Sequence, residues 1–291
     1  MSRFVPKGQP DEIPHDTYPM VRISSEFLLR GIDLLTRAQN DKLISGLVFA
    51  AILHNCMEHP DGGAVATREL ARRLDLPYET VRRHAMELVR AGQCAATRKG
   101  IVIEPAGLGS RATTAVLRKI YLNADRMLVE LTRAGLADYR SLQDGAERRG
   151  KLTREQKAVA TIGMGRLLDG VRMLGDFWDG DVLRALVFTA LWTANVKHVT
   201  NTAPTASRTV LQDEQRIPVS VLAIASSLRL PYETVRRHVL GLERDGVCHR
   251  AGRLGWVVPA SALRKLAAGA VQTHDLLKSM FAELRRAGLR A

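Results

Sequence analysis

Two short stretches of this chain carry the side chains best suited to chemistry, Tyr78-Glu79-Thr80-Val81-Arg82-Arg83-His84 and Tyr232-Glu233-Thr234-Val235-Arg236-Arg237-His238. With the Leu-Pro before each, nine residues starting at Leu76 return unaltered from Leu230, 154 positions on. A guanidinium can donate in parallel to O6 and N7 of guanine, and a carboxylate can accept from the cytosine amino group. Arg83, Arg237, Glu79 and Glu233 therefore suit the reading of base edges, with Tyr78 and Tyr232 at the start of the same turn. Cations and hydroxyls displaced from that line suit phosphate. These are Thr80 and Thr234, Arg82 and Arg236, Arg68, Arg72 and Arg73 upstream, and Arg98, Lys99 and Arg253 downstream. Taken singly, each also fits a solvated surface charge. Glu79 and Arg83 fit a helix-surface pair worth about 0.2 to 0.5 kcal/mol, and the threonines fit back-bonding within the first turn. Recognition is favoured because the polar letters survive in both copies while Met86-Glu87 becomes Leu240-Gly241.

The surrounding pattern predicts how these side chains are held. Pro77 and Pro231 suit a first helical position, and Glu79 and Glu233 sit where the helix dipole favours negative charge. Val81, Ala85 and Leu88, and likewise Val235, Val239 and Leu242, recur on one stripe until Gly92 or Gly246 ends the helix. The opposite stripe is basic both times. Upstream, 67–74 and 221–228 read as a second short amphipathic helix joined by a tight turn. Downstream, 93–97 and 101–104 read as strand, turn, strand, matched by 247–250 and 256–258 with a turn through Gly252 and Gly255.

A helix-turn-helix followed by a β-hairpin, with a Glu-Thr-Val-x-Arg start to its second helix, resembles the winged helix-turn-helix transcription regulators over about 65–104 and again over about 219–259. The resemblance implies that Glu79, Arg83, Glu233 and Arg237 face base edges. It also implies that the hairpins are wings. The fold expected is mainly α with small β-wings, as two tandem winged helix-turn-helix domains with additional flanking helices.

The duplication extends beyond the motif. Leu47–Leu53 matches Leu186–Trp192 at an offset of 139, each predicted to be the buried helix that supports the motif, and Gly31 matches Gly170. The offset rises to 154 through an insertion between Val196 and Pro218, read as a spacer or disordered loop in preference to a functional one. Helical patterns span 25–58, 113–136 and 261–289, and the second and third close on the same Leu-x-Arg-Ala-Gly-Leu ending. The predicted organisation is an irregular arm over 1–20, a first unit over 21–136, a polar linker over 137–151 and a second unit over 152–291. The proline-rich arm reads as a flexible terminus or a strap over a neighbouring subunit.

With 291 residues, 46% hydrophobic and 25% charged, the chain is long enough for two cores. Its net charge of +13 and pI near 10.2 favour a polyanionic partner. Cys56, Cys94 and Cys248 lack paired spacing, and a signal peptide or long uncharged apolar run is not evident, so a reducing cytoplasm, with nucleoid association, is expected. Cys94, Cys248 and Trp256 read as core; His84 and His238 read as hydrogen-bonded at the core's edge. No metal-ligand spacing, phosphate loop or nucleophile with a base emerges, so no cofactor, metal or enzymatic role is expected.

The reading is thus a sequence-specific regulator of transcription, binding double-stranded DNA as a monomer or homodimer, away from membranes. Whether a small-molecule effector acts on it stays open. Two similar half-sites follow from the near-identical helices, whose centres would lie about 34 to 36 Å apart if they enter successive major grooves on one DNA face. Two rivals remain: a DNA binder like the initiators of plasmid or phage replication, and a winged-helix scaffold for protein interactions.

Overall fold

The computed structural model describes residues 13–14, 16–59, 63–142, 152–200 and 210–291, so most of the expected arm, the later part of the linker and the middle of the insertion lie outside the described residues. The molecule is mainly helical, and its strands, among the described residues, are three residues long. In order come α1 (Thr17–Ala38), α2 (Leu43–Glu58), α3 (Thr67–Leu74), α4 (Tyr78–Arg90), β1 (Ala95–Thr97), β2 (Gly100–Val102), α5 (Pro105–Leu108) and α6 (Arg111–Arg133). Then follow α7 (Arg154–Phe177), α8 (Val182–Thr200), α9 (Val221–Leu228), α10 (Tyr232–Arg244), β3 (His249–Ala251), β4 (Gly255–Val257), α11 (Ala260–Lys265) and α12 (Ala267–Arg286). No helix among the described residues is long and apolar enough to cross a membrane.

The chain forms two compact units, and neither is contiguous. The first unit, which holds the first copy of the repeated motif, comprises 30–129, 139–172 and 280–291. The second unit comprises the residues up to Leu29, 130–138 and 173–279. These divisions cut through α1, α6, α7 and α12, so the structure is not partitioned at the 21–136 and 152–291 limits expected from the repeat.

In the first unit α2 is apolar around its whole circumference, and every residue from Ser45 to His54 is buried. α3 and α4 are apolar on one side only. Asp75, at φ 51° and ψ 46°, turns the chain between them, and the Leu76 amide donates to Ala71 O. α4 begins at Tyr78, one residue after Pro77, whose carbonyl accepts from the Val81 amide. The second unit repeats this with α8, α9 and α10. There Arg229 takes the left-handed turn and the Pro231 carbonyl accepts from Val235.

Each hairpin is antiparallel, and a third segment is stitched to its returning strand. Val65 exchanges two hydrogen bonds of 2.9 Å with Ile101, and Val219 does the same with Trp256 at 3.1 and 2.9 Å. Gly100 (φ 136°) and Gly255 (φ 137°) open those returning strands, and both were expected in the turns. A Cβ there would come within 2.3 Å of Val65 O or 2.5 Å of Val219 O, so only glycine lets the third segment close.

Several boundaries differ from the sequence pattern for physical reasons. α1 starts at Thr17, inside the expected irregular arm, because Thr17 and Met20 are fully buried and Asp16 meets His274 Nε2 at 3.2 Å and Lys278 Nζ at 3.3 Å. The helix expected to run through 25–58 breaks at Asn40 and Asp41, both left-handed. The expected linker is pinned at its start: the buried Asp125 carboxylate accepts from Tyr139 Oη at 2.8 Å, Ser141 Oγ at 2.9 Å and the Leu142 amide at 3.3 Å. The end of the insertion is packed as well. Arg216 is buried and donates to Val258 O and Leu211 O, beside Asp213 at 3.4 Å, so 210–218 is no spacer.

The amide that follows each hairpin is buried and needs an acceptor. Ile103 N–H donates to Cys56 Sγ at 3.4 Å in the first unit, whereas Val258 N–H donates to Asn195 Oδ1 at 3.0 Å in the second. The Asn195 amide also donates to Ile217 O at 2.7 Å and Trp256 O at 3.0 Å. Asn195→Ala would leave the buried Val258 amide without its acceptor and take a donor from the Ile217 carbonyl, while Trp256 O keeps the Val219 amide; one orphaned buried donor costs about 1 to 3 kcal/mol. We expect a loss of about 1 to 3 kcal/mol in urea denaturation, with Asn195→Cys less damaging because the thiol keeps an acceptor for the Val258 amide, as Cys56 does for Ile103 in the first unit.

Candidate nucleic-acid interface

The surface that gathers the repeated polar residues is the outer face of α4 and, separately, of α10. Val81, Ala85 and Leu88 are at most 2% exposed, and Val235, Val239 and Leu242 are fully buried. A 13-residue helix is marginal by itself in water, so these three contacts set its rotation. What lies opposite faces solvent. Tyr78 and Tyr232 are 43% and 47% exposed, and Glu79, Arg82, Arg83, Glu233, Arg236 and Arg237 are exposed; Thr80 and Thr234 are half-buried at the helix start.

Within that face the carboxylates choose the nearer arginine. Glu79 accepts from Arg82 Nε at 2.8 Å and Glu233 from Arg236 Nε at 2.9 Å. The helix-surface pairing of Glu79 with Arg83, the alternative to a recognition role, is not formed. Among the described residues Arg83 and Arg237 have no hydrogen bond or ion pair, so each holds a guanidinium with all its donors open to a ligand. Glu233, Thr234, Arg237, Leu240, Glu243 and Arg244 line a shallow open concavity along α10.

The expected phosphate-contacting residues sort into two groups. Arg68, Arg98, Lys99 and Arg253 are exposed and reach solvent from the short helix and the hairpin tips. Arg72 is exposed too, bound to Glu69 at 2.9 Å; that contact holds the carboxyl below, and the guanidinium above, its ordinary range. Arg73 is different. Its Nη2 donates to Nδ1 of the buried His54 at 2.8 Å, because α3 turns that side inward against α2, so the structure places it in an internal contact and not on the open face.

His54 ties α3 to the flanking helix α7. Gly165 makes the space, since a Cβ there would sit 2.7 Å from His54 Nε2. Burial chiefly, then the nearby Arg73 and Arg166 charges, push the imidazole down to about 3, so it is neutral at pH 7. Because Nδ1 accepts from Arg73, it has no proton for Glu58 Oε2, 3.0 Å away.

The paired histidines at the edge of the stripe have diverged. His84 Nδ1 lies 2.9 Å from Ser45 Oγ, as a hydrogen-bonded edge histidine should. His238 instead lies 3.7 Å from Asp181, and its Nε2 is buried without a partner among the described residues. Desolvation lowers both. Cys94, Cys248 and Trp256 are buried, and burial raises both thiols to about 12, which makes them core side chains.

Sequence reasoning missed Arg184, which replaces Ser45 in the second copy. It forms an ion pair with Asp245, donates to Gly241 O at 3.3 Å and stacks 5.3 Å from the Trp178 ring, bracing α10 against α8. It also left out Arg250, exposed on β3. Arg250 was findable as a charge in a strand whose partner is apolar; Arg184 had no local signal.

Comparison with protein-family models, with curated proteins and with solved structures returns no match.

The His54 environment sets a pH dependence. Between about pH 6.5 and about 3 the unfolded chain binds a proton at this residue that the folded chain does not. Its contribution to stability is therefore whole above pH 6.5 and is lost as pH falls through that window. Urea midpoints measured across it should fall less steeply for His54→Asn than for the unaltered chain, whatever the absolute stability of the variant.

Proposed function

We propose that each unit is built on a winged helix-turn-helix and that the chain is a sequence-specific regulator of transcription. In this reading α4 and α10 enter the major groove of double-stranded DNA at two similar half-sites. One observation carries the proposal: the same exposed arginine, Arg83 in one copy and Arg237 in the other, without a hydrogen bond or ion pair among the described residues, stands on a helix whose opposite stripe is buried. A guanidinium in that position has its two parallel donors available to guanine. Glu79 and Glu233 are held next to it by Arg82 and Arg236, which leaves each carboxylate exposed for a cytosine amino group and each pair of arginines with different tasks.

The net charge of +13 supports a polyanionic partner, and the exposed cations of α3 and of the hairpin tips supply backbone contacts around the reading helix. A protein-docking scaffold would be favoured by an acidic or neutral face on these helices, whereas this one exposes Arg82, Arg83, Arg236 and Arg237. Recovery of the binding sites as iterated repeats within an origin would reassign the chain to replication initiation, by the same contacts.

Selection from randomised duplexes should return two related motifs, and affinity should fall steeply with salt. Arg83→Ala and Arg237→Ala should each relax preference at one base position, at a cost of about 1 to 3 kcal/mol. An equal loss on every sequence would make both arginines phosphate contacts. Unchanged binding in both variants would remove α4 and α10 from the interface.

A further inference from the structure

The reading helices begin with the same seven residues in both units, but the short helices in front of them differ. Aligned through the repeat, Arg68, Glu69, Arg72 and Arg73 of α3 become Leu222, Ala223, Ser226 and Ser227 of α9. Arg68 and Arg72 are exposed in the first unit. Leu222, 63% exposed, and Ser226 take their places in the second, and α9 holds no charged residue at all. The hairpin tips diverge in the same sense. The first carries Arg98 and Lys99; the second carries Arg253 followed by Leu254, which is 76% exposed.

Some features run the other way, among them the loss of the acidic Glu69, which pairs with Arg72 in α3 and is Ala223 in α9. Arg250 adds a cation to the second hairpin, and at the inter-helix turn Asp75 becomes Arg229, a residue already engaged in an interaction of its own. The turn lies seven residues from Arg68 or Leu222, about 10 Å along the axis at 1.5 Å per residue. That is about a Debye length at physiological salt, so Arg229 leaves the charge lost at Leu222 unreplaced, while Ser226, three residues from the turn, lies within its range.

Resting on the DNA-binding reading above, we infer that the two units divide the work. The first unit anchors to the phosphate backbone through Arg68 and Arg72 as well as reading bases with α4. The second reads the same base sequence with α10 but gains little backbone affinity from α9. Backbone contacts supply most of the sequence-independent affinity and its salt dependence, whereas base contacts supply discrimination. A lone half-site is therefore held by the first unit, and the second unit closes on its half-site once the first is seated. Specificity for paired sites follows, because the second unit contributes only where its bases match.

The test uses the full-length chain and exchanges the front residues between units. On a short duplex of mixed sequence, Arg68→Leu with Arg72→Ser should lower the slope of log K against log salt by about 1 to 2, at roughly 0.9 per phosphate contact. Leu222→Arg with Ser226→Arg should raise it by a similar amount. On a duplex keeping one selected half-site with the other scrambled, Arg83→Ala should weaken binding at least several-fold more than Arg237→Ala. All four positions of the exchange are exposed, so folding is expected to persist, and far-ultraviolet circular dichroism checks it. An unchanged slope in the Arg68, Arg72 variant, or equal losses for Arg83→Ala and Arg237→Ala on the single half-site, would overturn the division of work while leaving DNA binding intact. Failure of the unaltered chain to bind any duplex would overturn the reading on which it rests.

Discussion

The burial of one stripe on α4, and of its counterpart on α10, is the constraint from which the rest follows. Val81, Ala85 and Leu88 are inside, and fully burying a valine or leucine contributes about 1.5 to 3 kcal/mol. Rotating the helix by one residue would expose these and bury Arg82 or Arg83, at a cost no local pairing offsets. The polar face is thus outward because nothing else can be inward. α2 and α8, apolar around their circumference, are the surfaces that make this one-sided burial achievable, and the hairpin closes the same core from the other end through the Val65 and Val219 pairings.

Around this shared constraint the two copies have met the same polar demands with different chemistry. One buried amide is answered by the thiol of Cys56 in the first unit and by the side-chain carbonyl of Asn195 in the second. One edge histidine sits against a serine, the other near an aspartate. The position that brings Ser45 to His84 in the first copy brings Arg184 to Asp245 and Trp178 in the second. The supporting interactions have drifted apart while the outward letters that open α4 and α10 have not. In a packed interior a polar group requires only some partner of suitable reach, and several side chains qualify. An outward residue with no internal partner is released from that requirement, so its identity in both copies needs another cause.

Local pattern was enough to place the helices of the repeated motif, the turns between them and the hairpins, because periodicity, proline and glycine act over a few residues. The buried α2 and α8, the core roles of Cys94, Cys248 and Trp256, and the paired helix ends at Gly135 and Gly288 were all legible in that way. Pattern failed where the partner was remote. Residues 137–142 look like a polar linker until Asp125 is found beneath them, and 210–218 look like a spacer until Arg216 is seen reaching Val258. Arg73 reads as one more surface arginine, and only the His54 ring, nineteen residues away and brought close by packing, shows that it faces inward.

The amino-acid order by itself determined that one structural unit is used twice, which residues line its buried stripe, and which polar side chains are left over on the opposite side. Those properties depend on spacing along a single helix, and spacing is written in the chain. Tertiary structure decided which arginine each glutamate takes, which basic residues are consumed by internal contacts, and that each compact unit draws on three separated segments of the chain. Those outcomes depend on which distant surfaces meet, and many residues could satisfy a given contact, so no short run of letters encodes them.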